Sequence, residues 1–134
     1  MSTYLTSSDR FVVAQPRDEP TVRRLGERTC VIALGAQLGH VDLPPIEDAV
    51  RSVLREGCED LVFDLTEARF YETFALVRIA REWDRLAAAG CAVYVAARDP
   101  RVVADLERLS GTDGWTLHGS APHALRALLS APLD

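Results

Sequence analysis

Residues 61–75 read Leu-Val-Phe-Asp-Leu-Thr-Glu-Ala-Arg-Phe-Tyr-Glu-Thr-Phe-Ala. The run from Leu61 to Leu65 is almost wholly apolar, which is typical of a strand that is central in a sheet or covered by helices on both faces. A short polar connection follows, and Thr73 then stands where an amphipathic helix begins. A hydroxyl at a helix start lies beside free backbone N–H groups and the positive end of the helix dipole. A phosphate added to Thr73 would therefore be well placed to change how this surface meets a partner.

Strand and helix patterns alternate along the rest of the chain. The predicted strands span residues 21–25, 29–34, 61–65, 92–97 and 115–118, and the predicted helices follow Asp42, residue 71, Asp99 and Ser120 and end at Gly57, Gly90, Gly111 and about residue 129. The first two strands flank a glycine turn, which predicts a hairpin. This order predicts an α/β fold, a single domain with a mostly parallel sheet of four or five strands, an N-terminal hairpin and about four helices. Residues 21–130 would form the domain. Residues 1–20, which are polar and contain two prolines, would form a flexible tail with a short extended piece at 11–14.

The composition of the chain argues against several classes of function, among them nucleic-acid binding and a membrane span. The chain has 134 residues, of which 48% are hydrophobic and 26% charged, with a net charge of −5, so one core and one domain are expected. The absence of a basic run argues against nucleic acid as a partner, and no apolar run reaches the roughly 18 residues that span a membrane. The start of the chain lacks an export signal, which predicts a cytoplasmic protein. The three cysteines, Cys30, Cys58 and Cys91, are odd in number and widely spaced, so we expect buried, reduced thiols.

The sequence contains no convincing catalytic, cofactor or metal motif. His40, His118 and His123 are not at metal spacing on one helix, and we interpret them as surface or turn histidines. The segment at residues 35–39 has two glycines after a strand, but it lacks the third glycine of a dinucleotide site. We therefore predict a protein that is not an enzyme and has no cofactor.

Two positions allow a structural and a functional interpretation. Asp64 ends a central strand, where acids of active sites often lie, but it can also simply accept hydrogen bonds from the following turn. A metal site formed by Asp64, Glu67 and Glu72 is conceivable, although their spacing does not demand one. Thr73 can be the N-cap of its helix, worth about 1 kcal/mol, with Glu72 as a favourable charge near the dipole. A capping hydroxyl on an exposed edge also stays open to a kinase, so the two interpretations of Thr73 are compatible.

Five segments, taken in order and spacing, resemble the STAS domain of the anti-sigma factor antagonists over residues 21–129. They are residues 31–35 with Leu38, residues 61–66, residues 70–75, residues 89–95 and residues 100–111. In that family the segment that corresponds to residues 72–75 reads Asp-Ser-Ser-Gly. The first serine after this aspartate is phosphorylated by a partner kinase, which is often the anti-sigma factor itself. The unmodified protein binds this partner and frees the sigma factor. By position, the resemblance implies that Thr73 is the phosphoacceptor and that Glu72 replaces the aspartate.

The chain departs from the family motif at several positions. Glutamate replaces aspartate, threonine replaces serine, Phe74 replaces a second serine and Ala75 replaces a glycine. The resemblance implies a partner-binding surface that contains Glu72, Thr73, Phe74 and Arg78, with the loop from Gly39 to Asp42 nearby. The alternatives are a scaffold of a stressosome-like assembly that is not phosphorylated and that self-associates, or a small-molecule sensor or weak enzyme that uses Asp64.

Overall fold

The computed structural model describes residues 19–110 and 114–130 of the chain. Its strands are β1 (Thr21–Arg24), β2 (Thr29–Ala33), β3 (Gln37–Leu38), β4 (Asp60–Leu65), β5 (Phe70–Tyr71), β6 (Ala92–Ala97) and β7 (Trp115–His118). Its helices are α1 (Leu43–Arg55), α2 (Thr73–Ala88), α3 (Pro100–Leu109) and α4 (Ala121–Leu129), and a short 3-10 helix at His40–Asp42 precedes α1. The predicted tail lies outside the described residues up to residue 18, as do the extended piece at 11–14 and the helix stop at Gly111.

The main sheet has five strands in the order β1-β2-β4-β6-β7. Strands β1 and β2 form an antiparallel hairpin whose turn contains Gly26 at a φ of 98°, a conformation that glycine adopts without steric cost. Each of the other neighbouring pairs is parallel, with Ile32 beside Phe63 and Phe63 beside Val95. The predicted α/β fold with a mostly parallel sheet, an N-terminal hairpin and four helices is confirmed.

The apolar character of β4 is explained by helices on both faces of the sheet. One face carries the main core, to which α1, α2 and α3 contribute. In its centre the Trp83 ring lies 5.5 Å from Phe63 and 4.8 Å from Trp115, measured between centroids. The other face is smaller, and there Val62 packs in a cluster that includes Ala124 of α4. The alternation of Val62 and Phe63 between the two faces is the two-residue period of a strand.

Helices α1 and α2 end at the glycines, and α3 and α4 begin at the capping residues, that the sequence predicts. Gly57 and Gly90, at φ of 92° and 104°, follow the ends of α1 and α2. The Asp99 carboxylate accepts a hydrogen bond from the Arg101 backbone N–H at 2.9 Å and caps α3, and Ser120 Oγ accepts from the His123 N–H at 3.2 Å and caps α4. No helix in the described ranges combines the length and the apolar character that crossing a bilayer requires.

The expectation of reduced thiols is wrong for two of the three cysteines. Cys30 and Cys58 are both buried, as predicted, but they form a disulfide with a Cα–Cα distance of 6.3 Å. The parallel register of β2 and β4 pairs Thr29 with Asp60 and so brings together two cysteines that are 28 residues apart in sequence. Cys91 is a free, partly buried thiol, and burial raises its pKa.

Candidate functional site

Two short strands that the sequence did not reveal position the candidate site. Strand β3 pairs in parallel with β5, so that Leu38 lies beside Tyr71. The Phe70 N–H donates to the Ala36 carbonyl at 3.0 Å, and the Glu72 N–H donates to the Leu38 carbonyl at 2.9 Å. These contacts join the loop after β2 to the loop after β4. The start of α2 and the loop at residues 39–42 are therefore neighbours, as expected from the sequence.

A hydrogen-bonded latch between Glu72 and His40 connects the two loops. Glu72 Oε1 accepts a hydrogen bond from the His40 backbone N–H at 2.9 Å and lies 3.3 Å from His40 Nδ1. The backbone hydrogen bond from His40 is the main reason why the pKa of Glu72 lies below its ordinary value, and the bond to the His40 ring adds to it. Both side chains are more than half exposed. The latch thus presents a carboxylate at the surface while fixing its position.

Asp42 lies inside this loop. Its Oδ2 accepts a hydrogen bond from the Gly39 N–H at 2.7 Å, and the Asp42 N–H donates to the Gly39 carbonyl at 2.9 Å. The residue is 7% exposed. Asp42 therefore holds the 3-10 turn that carries His40, and it presents little surface of its own.

Thr73 is the first residue inside α2, and Glu72 occupies the N-cap position. The interpretation of Thr73 as the N-cap is therefore wrong. The Glu72 side chain makes no capping hydrogen bond, because its carboxylate is turned towards His40. Helices α2, α3 and α4 all lack an acidic residue in the first turn, but α3 and α4 are capped by the side chains of Asp99 and Ser120 and α2 has no such cap. Thr73 is an exposed residue at the positive end of the α2 dipole.

Phe74 and Arg78 continue this surface along α2. Phe74 is 59% exposed, so its ring is available at the surface. The Arg78 guanidinium carbon lies 5.9 Å from the centroid of the Phe74 ring, within the range of a cation–π contact. Arg78 Nη2 also lies 3.2 Å from Glu47 Oε2, so α1 holds the arginine beside the phenyl ring. We call Glu72, Thr73, Phe74 and Arg78 the α2 surface.

Asp64 accepts hydrogen bonds from the turn that follows β4. Its Oδ1 accepts hydrogen bonds from the Thr66 N–H at 2.9 Å and from the Thr66 hydroxyl at 2.6 Å. Asp64 and Glu67 line a cavity of about 300 Å³ at the carboxyl ends of β2 and β4. Among the residues that the structure describes, no group of three or more histidine, cysteine, aspartate or glutamate side chains is placed to hold a metal ion.

Sequence reasoning missed two residues beside the α2 surface. The local sequence of His40 indicates only a surface histidine, because its partner Glu72 lies 32 residues away. Phe70 is 65% exposed in β5. A large apolar residue in an otherwise polar connection was the available signal for Phe70.

No family model matches the chain, and no curated protein matches it either. Solved structures do. An anti-sigma factor antagonist from Mycobacterium paratuberculosis matches with 24% identity and a TM-score of 0.68, over 83% of this chain and 93% of that one. RsbS from Moorella thermoacetica, in a serine-to-glutamate variant, matches with 18% identity and a TM-score of 0.66, over 82% and 94%. The unphosphorylated form of the anti-sigma factor antagonist SpoIIAA matches with 12% identity and a TM-score of 0.64, over 84% and 99%.

The chain has the fold of the anti-sigma factor antagonists. The match covers nearly the full length of each of these proteins, so the likeness concerns a complete domain. The fold that the resemblance to the STAS domain implied is thereby confirmed. At these identities the likeness concerns the fold, and the residues of the α2 surface have to be argued from their own chemistry.

Proposed function

We propose that this protein is a non-enzymatic, cytoplasmic regulator that binds an anti-sigma factor with protein kinase activity and so relieves inhibition of a sigma factor. The partner would contact the α2 surface and the neighbouring loop at residues 39–42. Phosphorylation of Thr73 would release it. The shared fold and the sequence resemblance support the class of function, and the chemistry of the α2 surface supports the location.

The observation that carries the proposal is the exposure of Thr73 at the start of α2. A kinase must reach the hydroxyl with its own active site, and a residue in the first turn of a surface helix allows this approach. The Glu72 carboxylate is held away from the helix start by His40, so it does not occupy the space where a capping side chain would lie. The α2 N–H groups then face the position at which a phosphate would be added.

The charge of a phosphate explains why binding would weaken. A phosphothreonine carries about −1.5 to −2 charges at neutral pH, and here it would add to the charge of Glu72, the preceding residue, whose side chain is more than half exposed. A partner surface that fits a neutral hydroxyl and an apolar ring at Phe74 would then have to desolvate this charge and face its repulsion.

The test uses the kinase that is recovered with the wild-type protein, and compares its affinity for Thr73→Ala, Thr73→Asp and wild type. We expect Thr73→Ala to bind like wild type and Thr73→Asp to bind at least about tenfold more weakly, since like charges placed together cost several kcal/mol. Thr116→Asp, at an exposed threonine on the distant edge strand β7, is the matched control and should bind normally. Equal binding by all of these proteins would rule out a switch at Thr73.

Self-association is a second candidate function, and the exposure of both Phe70 and Phe74 favours it. Two copies that meet through these rings would bury them from water. Sedimentation velocity at tens of micromolar should then show a dimer or larger species that Phe74→Ser weakens. A strict monomer at that concentration would remove this candidate.

A further inference from the structure

The Cys30–Cys58 disulfide joins the end of α1 to the sheet. Cys58 lies three residues after the last residue of α1, and its N–H donates to the Val53 carbonyl at 3.1 Å, so it belongs to the carboxyl-terminal cap of this helix. Cys30 lies in β2 and contributes to the main core. The disulfide therefore fastens the carboxyl-terminal end of α1 to β2.

The opposite end of α1 carries part of the proposed partner surface. The 3-10 helix at His40–Asp42 leads directly into α1 and holds His40 in the latch with Glu72. Glu47, near the start of α1, lies 3.2 Å from Arg78 of the α2 surface. A helix of 13 residues is about 20 Å long, and a close-packed interior transmits a displacement along it. Helix α1 thus connects the disulfide to the loop at residues 39–42.

The two sulfur atoms need different amounts of space in the two redox states. Bonded sulfur atoms lie about 2 Å apart, whereas two thiols pack at the roughly 3.5–4 Å of a non-bonded contact. Cys30 and Cys58 are 0% and 2% exposed, so a close-packed core surrounds them. Cys30 is fixed by pairing with both Arg24 of β1 and Leu61 of β4, whereas Cys58 precedes β4 and lies outside the strand pairing. The end of α1 is therefore the part that can yield.

The segment around Cys58 is tied to the β1–β2 hairpin by contacts at the surface. The Glu59 N–H donates to the Arg28 carbonyl at 2.8 Å, and the side chains of these two residues form an ion pair at 2.6 Å. Arg24 pairs with Glu56 at 3.2 Å. Ion pairs between exposed side chains contribute little to stability. Local opening of this segment would therefore give a small thiol access to the buried sulfur atoms.

We propose that Cys30 and Cys58 are a reversible redox switch of the partner surface. The disulfide form holds the loop at residues 39–42 in place through α1, and the dithiol form binds the partner more weakly. Disulfides that occur in cytoplasmic proteins are usually transient or redox-sensing. The inference rests on the proposed function for the cytoplasmic location and for the partner surface, and it adds regulation of that surface.

The redox partner is a low-molecular-weight thiol of the glutathione type. Two glutathione molecules reduce the disulfide to two thiols, by way of a mixed disulfide, and leave as one molecule of glutathione disulfide. Two electrons and two protons pass to the cysteine pair. Glutathione disulfide reverses the exchange. Cys91 stays outside this chemistry, because burial raises its pKa and so leaves less of the reactive thiolate.

A redox titration of the free, full-length protein tests the switch without a partner. The protein is equilibrated at a series of ratios of glutathione to glutathione disulfide, and its free thiols are alkylated and counted by mass spectrometry. We expect one free thiol, that of Cys91, at oxidising ratios and three at reducing ratios. A pair that excess glutathione leaves oxidised in the folded protein would overturn the proposal, and so would a pair that excess glutathione disulfide leaves reduced.

Amide resonances of uniformly ¹⁵N-labelled protein show whether the change reaches the partner surface. Between the two redox states we expect shifts that continue from Cys58 along α1 to His40 and Glu72. Resonances of α4, which packs on the other face of the sheet, should stay unchanged. Shifts that are confined to the neighbours of Cys30 and Cys58 would show that α1 does not transmit the change, and the proposal would be wrong.

The kinase that is recovered with the wild-type protein measures the effect on binding. We expect the dithiol form to bind about five- to tenfold more weakly than the disulfide form, the lower part of the range for coupling between two sites. Cys30→Ala combined with Cys58→Ala should bind weakly at every ratio, which separates a change in this protein from a change in the kinase. Cys91→Ala is the matched control and should keep the full redox response. Equal affinity of the two wild-type redox states would overturn the proposal.

The redox response and the response to Thr73→Asp separate the two proposals. If Thr73→Asp weakens kinase binding while the two redox states bind equally, the redox switch is wrong and the phosphorylation switch stands. If the kinase distinguishes the redox states but binds Thr73→Asp normally, the phosphorylation switch is wrong and the redox switch stands.

Discussion

The Glu72 side chain connects the loop at residues 39–42 to the start of α2 and therefore does not cap this helix. A residue at the N-cap position commonly uses its side chain to accept an N–H of the first turn. Glu72 instead accepts the His40 N–H at 2.9 Å, which fixes the 3-10 turn against the start of α2. The first turn of α2 keeps its positive character, and Thr73 is the first residue of that turn.

The Glu72 carboxyl should titrate below the ordinary glutamate pKa of 4.5, because the His40 backbone N–H stabilises its charged form. Its contribution to stability is present above pH 4.5 and is lost as the pH falls through the lowered folded-state pKa. Carboxyl-detected NMR measures the pKa directly. His40→Ala keeps the backbone donor and should retain most of the shift, whereas Glu72→Gln should flatten the acid limb of the stability curve. An ordinary or raised pKa for Glu72 would show that the latch does not form.

At the scale of elements, the helices differ in whether a side chain accepts a hydrogen bond from the free backbone N–H groups of the first turn. The Ser120 hydroxyl accepts the His123 N–H at the start of α4, whereas no side chain caps α2. The long elements were predictable because the central strands are continuous apolar runs, the helices have an apolar face, and glycine and proline mark the helix ends. Strands β3 and β5 were not predictable, since two residues are too short for a hydrophobic period. Apolar character alone is an imperfect guide to burial, because Leu54 of α1 and Leu129 of α4 are exposed.

Removing the α4 cap should be more costly than removing the Thr73 hydroxyl. We expect Ser120→Ala to lower the free energy of unfolding by about 1 kcal/mol, and Ser120→Asn to lower it little because asparagine also caps well. Thr73→Ala removes no cap and should stay within about 0.5 kcal/mol of wild type. Urea denaturation at neutral pH measures each value. A loss for Thr73→Ala as large as that for Ser120→Ala would mean that Thr73 does cap α2.

At the scale of the whole molecule, the fold depends on one principal core between the sheet and three helices. Phe63 is 1% exposed and packs against Trp83 at its centre. Phe63→Ala should therefore lower the free energy of unfolding by about 3–5 kcal/mol, because it leaves a cavity beside a tryptophan. Leu129→Ala, at a residue that is 79% exposed, is the matched control and should change it by less than about 0.5 kcal/mol. Chemical denaturation followed by tryptophan fluorescence reports both, and similar effects of the two variants would contradict this description of the core.

The Cys30–Cys58 disulfide should stabilise protein purified without reductant. The two cysteines are 28 residues apart in sequence, which corresponds to about 3.6 kcal/mol in the chain-entropy description. Reduction, or the double change Cys30→Ala and Cys58→Ala, should lower the urea midpoint, and Cys91→Ala should not. Unfolded, non-reduced protein should expose a single reactive thiol, that of Cys91. Three reactive thiols would contradict the disulfide.

The candidate site was predictable only in part, for a reason that applies to the molecule as a whole. Glu72, Thr73 and Phe74 are adjacent in sequence, so their exposure at one helix start follows from local pattern. The latch to His40 and the contact of Tyr71 with Asp105 join residues 32 and 34 positions apart. Such contacts are set by the pairing of strands and the packing of α3, which a single sequence does not specify.

The most direct test of the central claim is mass spectrometry of the protein isolated from its own host, separated into kinase-bound and free pools. We predict a single added phosphate, localised to residue 73, in the free pool and its absence from the kinase-bound pool. A phosphate on residue 73 in both pools, a phosphate only at another residue, or none in either pool would contradict a switch at the start of α2.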